Sequence, residues 1–225
     1  MSAESDLRWR LRLVVLTHPR PAAGRMTDVV AECLEAGCPA IQLRDKECSA
    51  ADLYEQAATL REITRSFGAL LIVNDRLDVA LAADADGVHL GPDDLPVEAV
   101  RRSVDSVFLI GYSTDDPATA RAAAESGADY LGVGAVFGST SKPGLVDEAI
   151  GPGRVGQVLR SAGVPCVGIG GITAENACAV AAQGAGVAVL GTVMQAERPG
   201  DVVSSLLREI SRAAGQPAAR DKIDG

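Results

Sequence analysis

The sequence predicts an α/β fold, a single-domain (β/α)8 TIM barrel, on three observations. Short apolar runs rich in Val, Ile and Leu alternate with Ala-rich segments of helical period, as βα units on a parallel sheet do. Eight such runs occur, each followed by a helix or by room for one. A helix tail of small residues running into a strand recurs around Gly37, Asp84, Gly127 and Gly184, which lie 47, 43 and 57 residues apart. One module per two βα units makes four modules a complete barrel. An open, doubly wound sheet is the rival reading, because Ala- and Gly-rich helix ends occur there too.

The elements follow in order. Residues 1–10 form an N-terminal extension in which Glu4, Asp6, Arg8 and Arg10 break up any apolar run. The barrel occupies 11–214, with strands expected at 11–16, 40–43, 70–73, 87–90, 108–111, 130–133, 166–169 and 187–190. Ser49 and Asp52 have the spacing of a capping box, and Thr173 with Asn176 marks another helix start. The last segment, 215–225, mixes Gly, Pro and charges and is expected to be a disordered tail.

Composition narrows the function. The 225 residues carry 21 Lys+Arg against 30 Asp+Glu, a net charge of −9, where a nucleic-acid binder would present a basic face. One Trp, three Tyr and three Phe leave little material for stacking platforms. No apolar run approaches the ~20 residues of a membrane span, and the N-terminus lacks the apolar region of a signal peptide. Neither nucleic acid nor membrane is an expected partner; a homo-oligomer is left open. The cysteines, Cys33, Cys38, Cys48, Cys166 and Cys178, are odd in number and include no C-x-x-C pair, which predicts a reduced, cytoplasmic protein.

Ligands of parallel α/β folds sit at the carboxyl ends of the strands. After strand 2, the period of two sends Gln42, Arg44 and Lys46 to one side. These donors could clamp an oxyanion or a phosphate, or they could be a solvated strand end with Arg44 paired to Asp45. Strand 3 ends in Asn74-Asp75, and Asp94 follows strand 4. Two carboxylates from adjacent strand ends suit a hard cation such as Mg²⁺, although an Asp after Gly91-Pro92 is also an ordinary turn residue. Strand 5 ends at Gly111-Tyr112-Ser113, and strand 6 opens into a loop containing Gly138, Ser139, Thr140, Ser141, Lys142 and Gly144. Backbone N–H groups, hydroxyls and a lysine of that kind can cradle phosphate. Strands 7 and 8 run into Gly170-Gly171 and Leu190-Gly191-Thr192, where barrels often bind phosphate; glycines there could equally serve close packing. His18 and His89 lack partners at any metal or triad spacing and read as surface or packing residues. No G-x-S-x-G elbow or P-loop motif occurs. Two anion sites and a carboxylate pair suggest a reaction of phosphorylated substrates in which a metal-bound phosphate leaves.

These residues closely resemble the thiamine phosphate synthase family. The matching stretches are Ile41 to Lys46, Leu71 to Pro96, Gly111-Tyr112-Ser113, Gly127 to Gly144, and Gly168 to Asn176. The resemblance implies a transferase of thiamine biosynthesis. It would join 4-amino-2-methyl-5-hydroxymethylpyrimidine diphosphate to 4-methyl-5-(2-phosphooxyethyl)thiazole. It implies that Gln42, Arg44, Lys46, Asn74 and Lys142 bind the pyrimidine diphosphate and that Asp75 and Asp94 hold Mg²⁺. Ser139, Thr140, Ser141, Gly171, Leu190, Gly191 and Thr192 match the cradle of the thiazole phosphate, and Ser113 matches a site serine. Arg44, Lys46, Lys142 and Ser113 are the expected catalytic set. Gly191 replaces a serine common in the family, which a phosphate held by backbone N–H would tolerate and one held by a serine hydroxyl would feel as weaker binding. Family members commonly carry an acidic residue where His18 stands. A thiazole tautomerase-like or regulatory paralogue shares the barrel, but Asp94 beside Asp75, and Gly134-Ala135 in place of its Gly-His, speak against it. The resemblance demands no strong general base, in keeping with histidines that lack partners.

Overall fold

A computed structural model of the chain describes residues 3–138, 149–213 and 215. Eight parallel strands close into a barrel in sequence order, β8 pairing with β1. They are β1 (Leu13–Leu16), β2 (Ala40–Leu43), β3 (Leu70–Asn74), β4 (Gly87–Leu90), β5 (Leu109–Ser113), β6 (Tyr130–Gly134), β7 (Cys166–Ile169) and β8 (Gly186–Val189). Each lies within two residues of its expected position, and closure removes the open-sheet alternative.

The helices are α1 (Ala3–Arg10), α2 (Met26–Glu35), α3 (Ala50–Ser66), α4 (Leu77–Ala82), α5 (Val97–Arg101), α6 (Pro117–Glu125), α7 (Pro152–Ala162), α8 (Ala177–Ala181), α9 (Gly191–Met194) and α10 (Pro199–Ala213). The strand period of two divides the core. Leu13, Val15, Ile41, Leu43, Leu71 and Val73 face outward into the layer beneath the helices. Val14, Leu16, Ala40, Leu70, Ile72, Tyr130, Val167 and Ala188 fill the barrel interior. The extension at 1–10 is helical from Ala3: Leu7 packs against the interior cluster, and the Arg12 guanidinium lies 3.8 Å from the Trp9 ring centroid.

The repeated module has a conformational basis. Gly37, Asp84, Gly127 and Gly184 end α2, α4, α6 and α8, and all four are left-handed, with φ of 91°, 52°, 104° and 82°. That conformation turns the chain from a helix end into the next strand. Two of the following strands are pinned alike. Asp86 accepts from Leu71 N–H and Arg61, and Asp129 accepts from Ile110 N–H and Arg101.

The helix starts differ in detail from the sequence reading. Ser49 caps α3 by accepting from Asp52 N–H at 3.1 Å, but its hydroxyl donates to the Asp52 carboxylate at 2.7 Å, so the reciprocal half of a capping box is missing. Thr173 caps no helix. Its N–H donates to Asn176 Oδ1, and α8 begins beyond Asn176 without a side-chain cap. Apart from Gly215, the expected tail lies outside the described residues.

Candidate active site

At the carboxyl ends of the strands a cavity of about 710 Å³ opens, lined by Gln42, Arg44, Asn74 and Ser113 on one side and by Gly171, Leu190, Gly191 and Thr192 on the other. Small inward residues make the space. Gly132, Gly134 and Ala188 line it where larger side chains would fill the barrel. Gln42, 4% exposed, is held by the barrel wall. Arg44, one period further, follows the strand end, and its N–H donates to Thr17 Oγ1 at 2.9 Å. Thr17 is fully buried and its own N–H donates to the Gln42 carbonyl, so β1 fixes the backbone from which both side chains extend.

Asp75, directly after Asn74, is left-handed with φ 64°, and its N–H donates to the His89 carbonyl. Asp tolerates that region better than most residues; here it turns the carboxylate toward Lys46, whose Nζ lies 3.1 Å from Oδ2. Asp94 Oδ2 accepts from Gly91 N–H at 2.6 Å. Burial, and the negative charge of Asp75 beside it, push the Asp94 carboxyl above its ordinary value, while Gly91 N–H and Lys46 pull it down. A pair of carboxylates that repel each other, with hard oxygen donors at adjacent strand ends, fits a divalent cation. Among the described residues no group of three or more acidic, His or Cys side chains forms a larger metal cluster. Two protein ligands completed by phosphate oxygens are what Mg²⁺ commonly takes.

The opposite wall is built from backbone. Gly170 and Gly171 are left-handed, and a Cβ on Gly171 would come within 2.7 Å of the Phe137 carbonyl. Asn176 braces this turn: its Nδ2 donates to the Gly171 carbonyl at 2.9 Å and its Oδ1 accepts from Thr173 N–H. Asn176 is thus a support whose signal in the sequence read as a helix cap. Gly191 opens α9, whose first N–H groups have no intrahelical acceptor. The Thr192 hydroxyl donates to the Ile172 carbonyl at 2.5 Å, which leaves its backbone N–H, not its side chain, for an anion. Ser139, Thr140, Ser141 and Lys142 lie outside the described residues.

The histidines need separating. His18 is half-buried in a loop, its Nδ1 accepting from Arg20 N–H at 3.1 Å. His89 does have partners, contrary to the sequence reading: it is 9% exposed, with ring nitrogens 2.8 Å from Ser113 Oγ and 2.9 Å from Tyr130 Oη. Those partners come from β5 and β6, so no local spacing marks them. A partnered histidine therefore stands at the site, and chemistry without a general base draws no support from the histidines.

Comparison with known proteins identifies the family. The family model described as thiamine monophosphate synthase matches residues 13–193. Thiamine-phosphate synthase of Haloarcula marismortui is 47% identical over 202 residues, covering 88% of this chain and 95% of that protein. The same-named protein of Moorella thermoacetica is 41% identical, covering 93% and 99%. The solved structure of thiamine phosphate pyrophosphorylase from Pyrococcus furiosus superimposes with a TM-score of 0.84 at 38% identity, over 93% of this chain and all of that one.

Proposed function

The chain belongs to the thiamine monophosphate synthase family, and we propose that its barrel mouth joins 4-amino-2-methyl-5-hydroxymethylpyrimidine diphosphate to 4-methyl-5-(2-phosphooxyethyl)thiazole, releasing pyrophosphate and leaving thiamine phosphate. The observation that carries this reading is the convergence of Gln42, Arg44, Asn74 and Ser113 on one cavity, opposite the backbone turns at Gly171 and Gly191. A diphosphate suits the charged side and a monophosphate the N–H-lined side.

The reaction is dissociative. The pyrimidine 4-amino group pushes electron density toward the CH₂–O bond, which breaks with its electron pair going to pyrophosphate. The thiazole nitrogen lone pair then forms the new C–N bond, and no net proton is transferred. Arg44, Lys46 and Lys142 stabilise the charge growing on the leaving group. Asp75 and Asp94 are the residues that would hold Mg²⁺, which would supply further neutralisation of that charge. Gln42 and Asn74 orient the pyrimidine, and the turns at Gly171 and Leu190-Gly191-Thr192, with Ser139, Thr140 and Ser141, hold the thiazole phosphate. Fixing two substrates against each other is worth about 7–11 kcal/mol of barrier.

The five cysteines are free, which supports a reducing, cytoplasmic compartment. No helix among the described residues is long and apolar enough to cross a membrane.

The test is to mix the protein with both substrates and follow thiamine phosphate and pyrophosphate, with Mg²⁺ and then with excess chelator. Product should form with the metal and cease with the chelator. Asp94→Ala should lower turnover by about 100-fold, the scale of removing one group that stabilises developing charge. Undiminished Mg²⁺-dependent turnover in that variant would overturn the metal assignment. A folded protein that binds one substrate without making product would overturn the reaction.

A further inference from the structure

Beside Ser113, two further polar side chains, His89 and Tyr130, line the cavity. His89 Nε2 is 2.8 Å from Ser113 Oγ, and Nδ1 is 2.9 Å from Tyr130 Oη. The three residues sit on adjacent strands, with Gly111 paired to both His89 and Tyr130 and Gly132 paired to Ser113. Both glycines make the slot. A Cβ on Gly111 would overlap the Tyr130 ring and His89 Nδ1, and one on Gly132 would come within 3.0 Å of the imidazole. The arrangement therefore needs glycine on two neighbouring strands, beyond the demands of the barrel itself.

The direction of the hydrogen bonds follows from the buried end. Tyr130 is 1% exposed and lies among Val14, Leu16, Ile72 and Val167, which offer no side-chain acceptor. Burial pushes its phenol well above the ordinary value, so it keeps its proton. A buried O–H takes the acceptor within reach, which is His89 Nδ1. A neutral imidazole that accepts at Nδ1 would carry its proton on Nε2, and Nε2–H would then donate to Ser113 Oγ. The Ser113 proton is then left to point into the cavity, at the end of a chain of donors that polarise one another. The other tautomer would spend the Ser113 proton on His89 and present only an acceptor.

We propose that His89, backed by Tyr130, is a positioning residue that fixes Ser113 as a hydrogen-bond donor to an acceptor atom of the pyrimidine diphosphate, either a ring nitrogen or a phosphate oxygen. This rests on the reaction proposed above, but the tautomer can be read without turnover.

The chain has two histidines, so ¹⁵N spectra of the imidazole rings of the unliganded protein, assigned with His89→Gln, are simple. His89 should show a protonated Nε2 and an unprotonated Nδ1, and Tyr130→Phe should shift it to a mixture. In turnover, His89→Leu should lower kcat by about 10–100-fold, the usual loss when an orienting partner is removed, with KM for the thiazole phosphate little changed. His89→Gln, whose amide N–H can stand where Nε2–H stood, should recover most of it. A protonated Nδ1 in the parent protein, or a folded His89→Leu variant with the parent kcat, would overturn the proposal. A parent protein that makes no thiamine phosphate yet shows the Nε2 proton would instead fail the reaction reading, leaving the direction of the Ser113 hydroxyl intact.

Discussion

Thr17 contributes no side chain to the cavity lining, yet it sets where the Arg44 guanidinium starts. It is fully buried, and its hydroxyl is the acceptor for Arg44 N–H. Thr17→Val keeps the shape and removes that acceptor. It should destabilise the protein by about 1–3 kcal/mol, the cost of stranding a buried donor, as read by denaturant unfolding. It should also raise KM for the pyrimidine diphosphate through the displaced Arg44. An unchanged KM would mean that β2 alone positions the clamp. At this scale the sequence was legible where chemistry and period coincide: Gln42, Arg44, Asn74 and Ser113 stand at strand ends and do line one cavity. Thr17 and His89 were not, because each acts on a residue of another strand: Thr17 on Arg44, 27 positions away, and His89 on Ser113, 24 positions away.

Helix ends carry the next level of order. α6 starts at Asp116, whose carboxylate accepts from Thr119 N–H at 2.7 Å and from its hydroxyl at 2.8 Å. Those bonds hold the Asp116 carboxyl below its ordinary value. A carboxylate with a lowered folded pKa contributes stability that is present above the unfolded value and lost as pH falls through the folded one. Asp116→Ala should therefore lower the unfolding midpoint at neutral pH, and the gap from the parent should close as pH falls below the ordinary carboxylate range. Asp116→Asn, which keeps the cap but not the charge, should flatten that pH dependence. The four left-handed helix ends offer a second check. Asp84 alone among them is not glycine, with φ of 52°, and its ion pair with Arg65 is largely exposed. Such a pair is worth about 0–1 kcal/mol, so Asp84→Gly should change stability by less than about 0.5 kcal/mol. Asp84→Val, whose branched side chain resists that conformation, should cost about 1–3 kcal/mol. Small residues before each strand make this repeat visible in the sequence, whereas Asn176 reads as a helix cap because Asx geometry in a turn and at a helix start shares one residue signature.

Closure of the ring determines how the whole molecule comes apart. Every strand is paired on both sides, so no edge strand can fray first. Alternating runs made the barrel legible, but closure itself depends on the β1 to β8 pairing, which joins the two ends of the domain and leaves no local mark. The cysteines give a readout of this cooperativity. Cys33, Cys38 and Cys166 are buried, at 0%, 3% and 2% exposure, whereas Cys48 and Cys178 are half-buried. Burial pushes the Cys38 and Cys166 thiols up to about 12, and Cys33 higher still. The reacting species is the thiolate, so these three should resist a thiol reagent at neutral pH until the fold opens. Cys33 lies on α2 and Cys38 just before β2, while Cys166 begins β7, three strands away round the ring. In mild denaturant the three should be modified at one common rate that follows the unfolding equilibrium, because opening either region breaks the closed ring to which both belong. Cys48 and Cys178 should react from the folded state at rates that do not follow it. If Cys166 were labelled well before Cys33 and Cys38, the β7 side would open by itself, and the ring would unfold as two bodies in place of one.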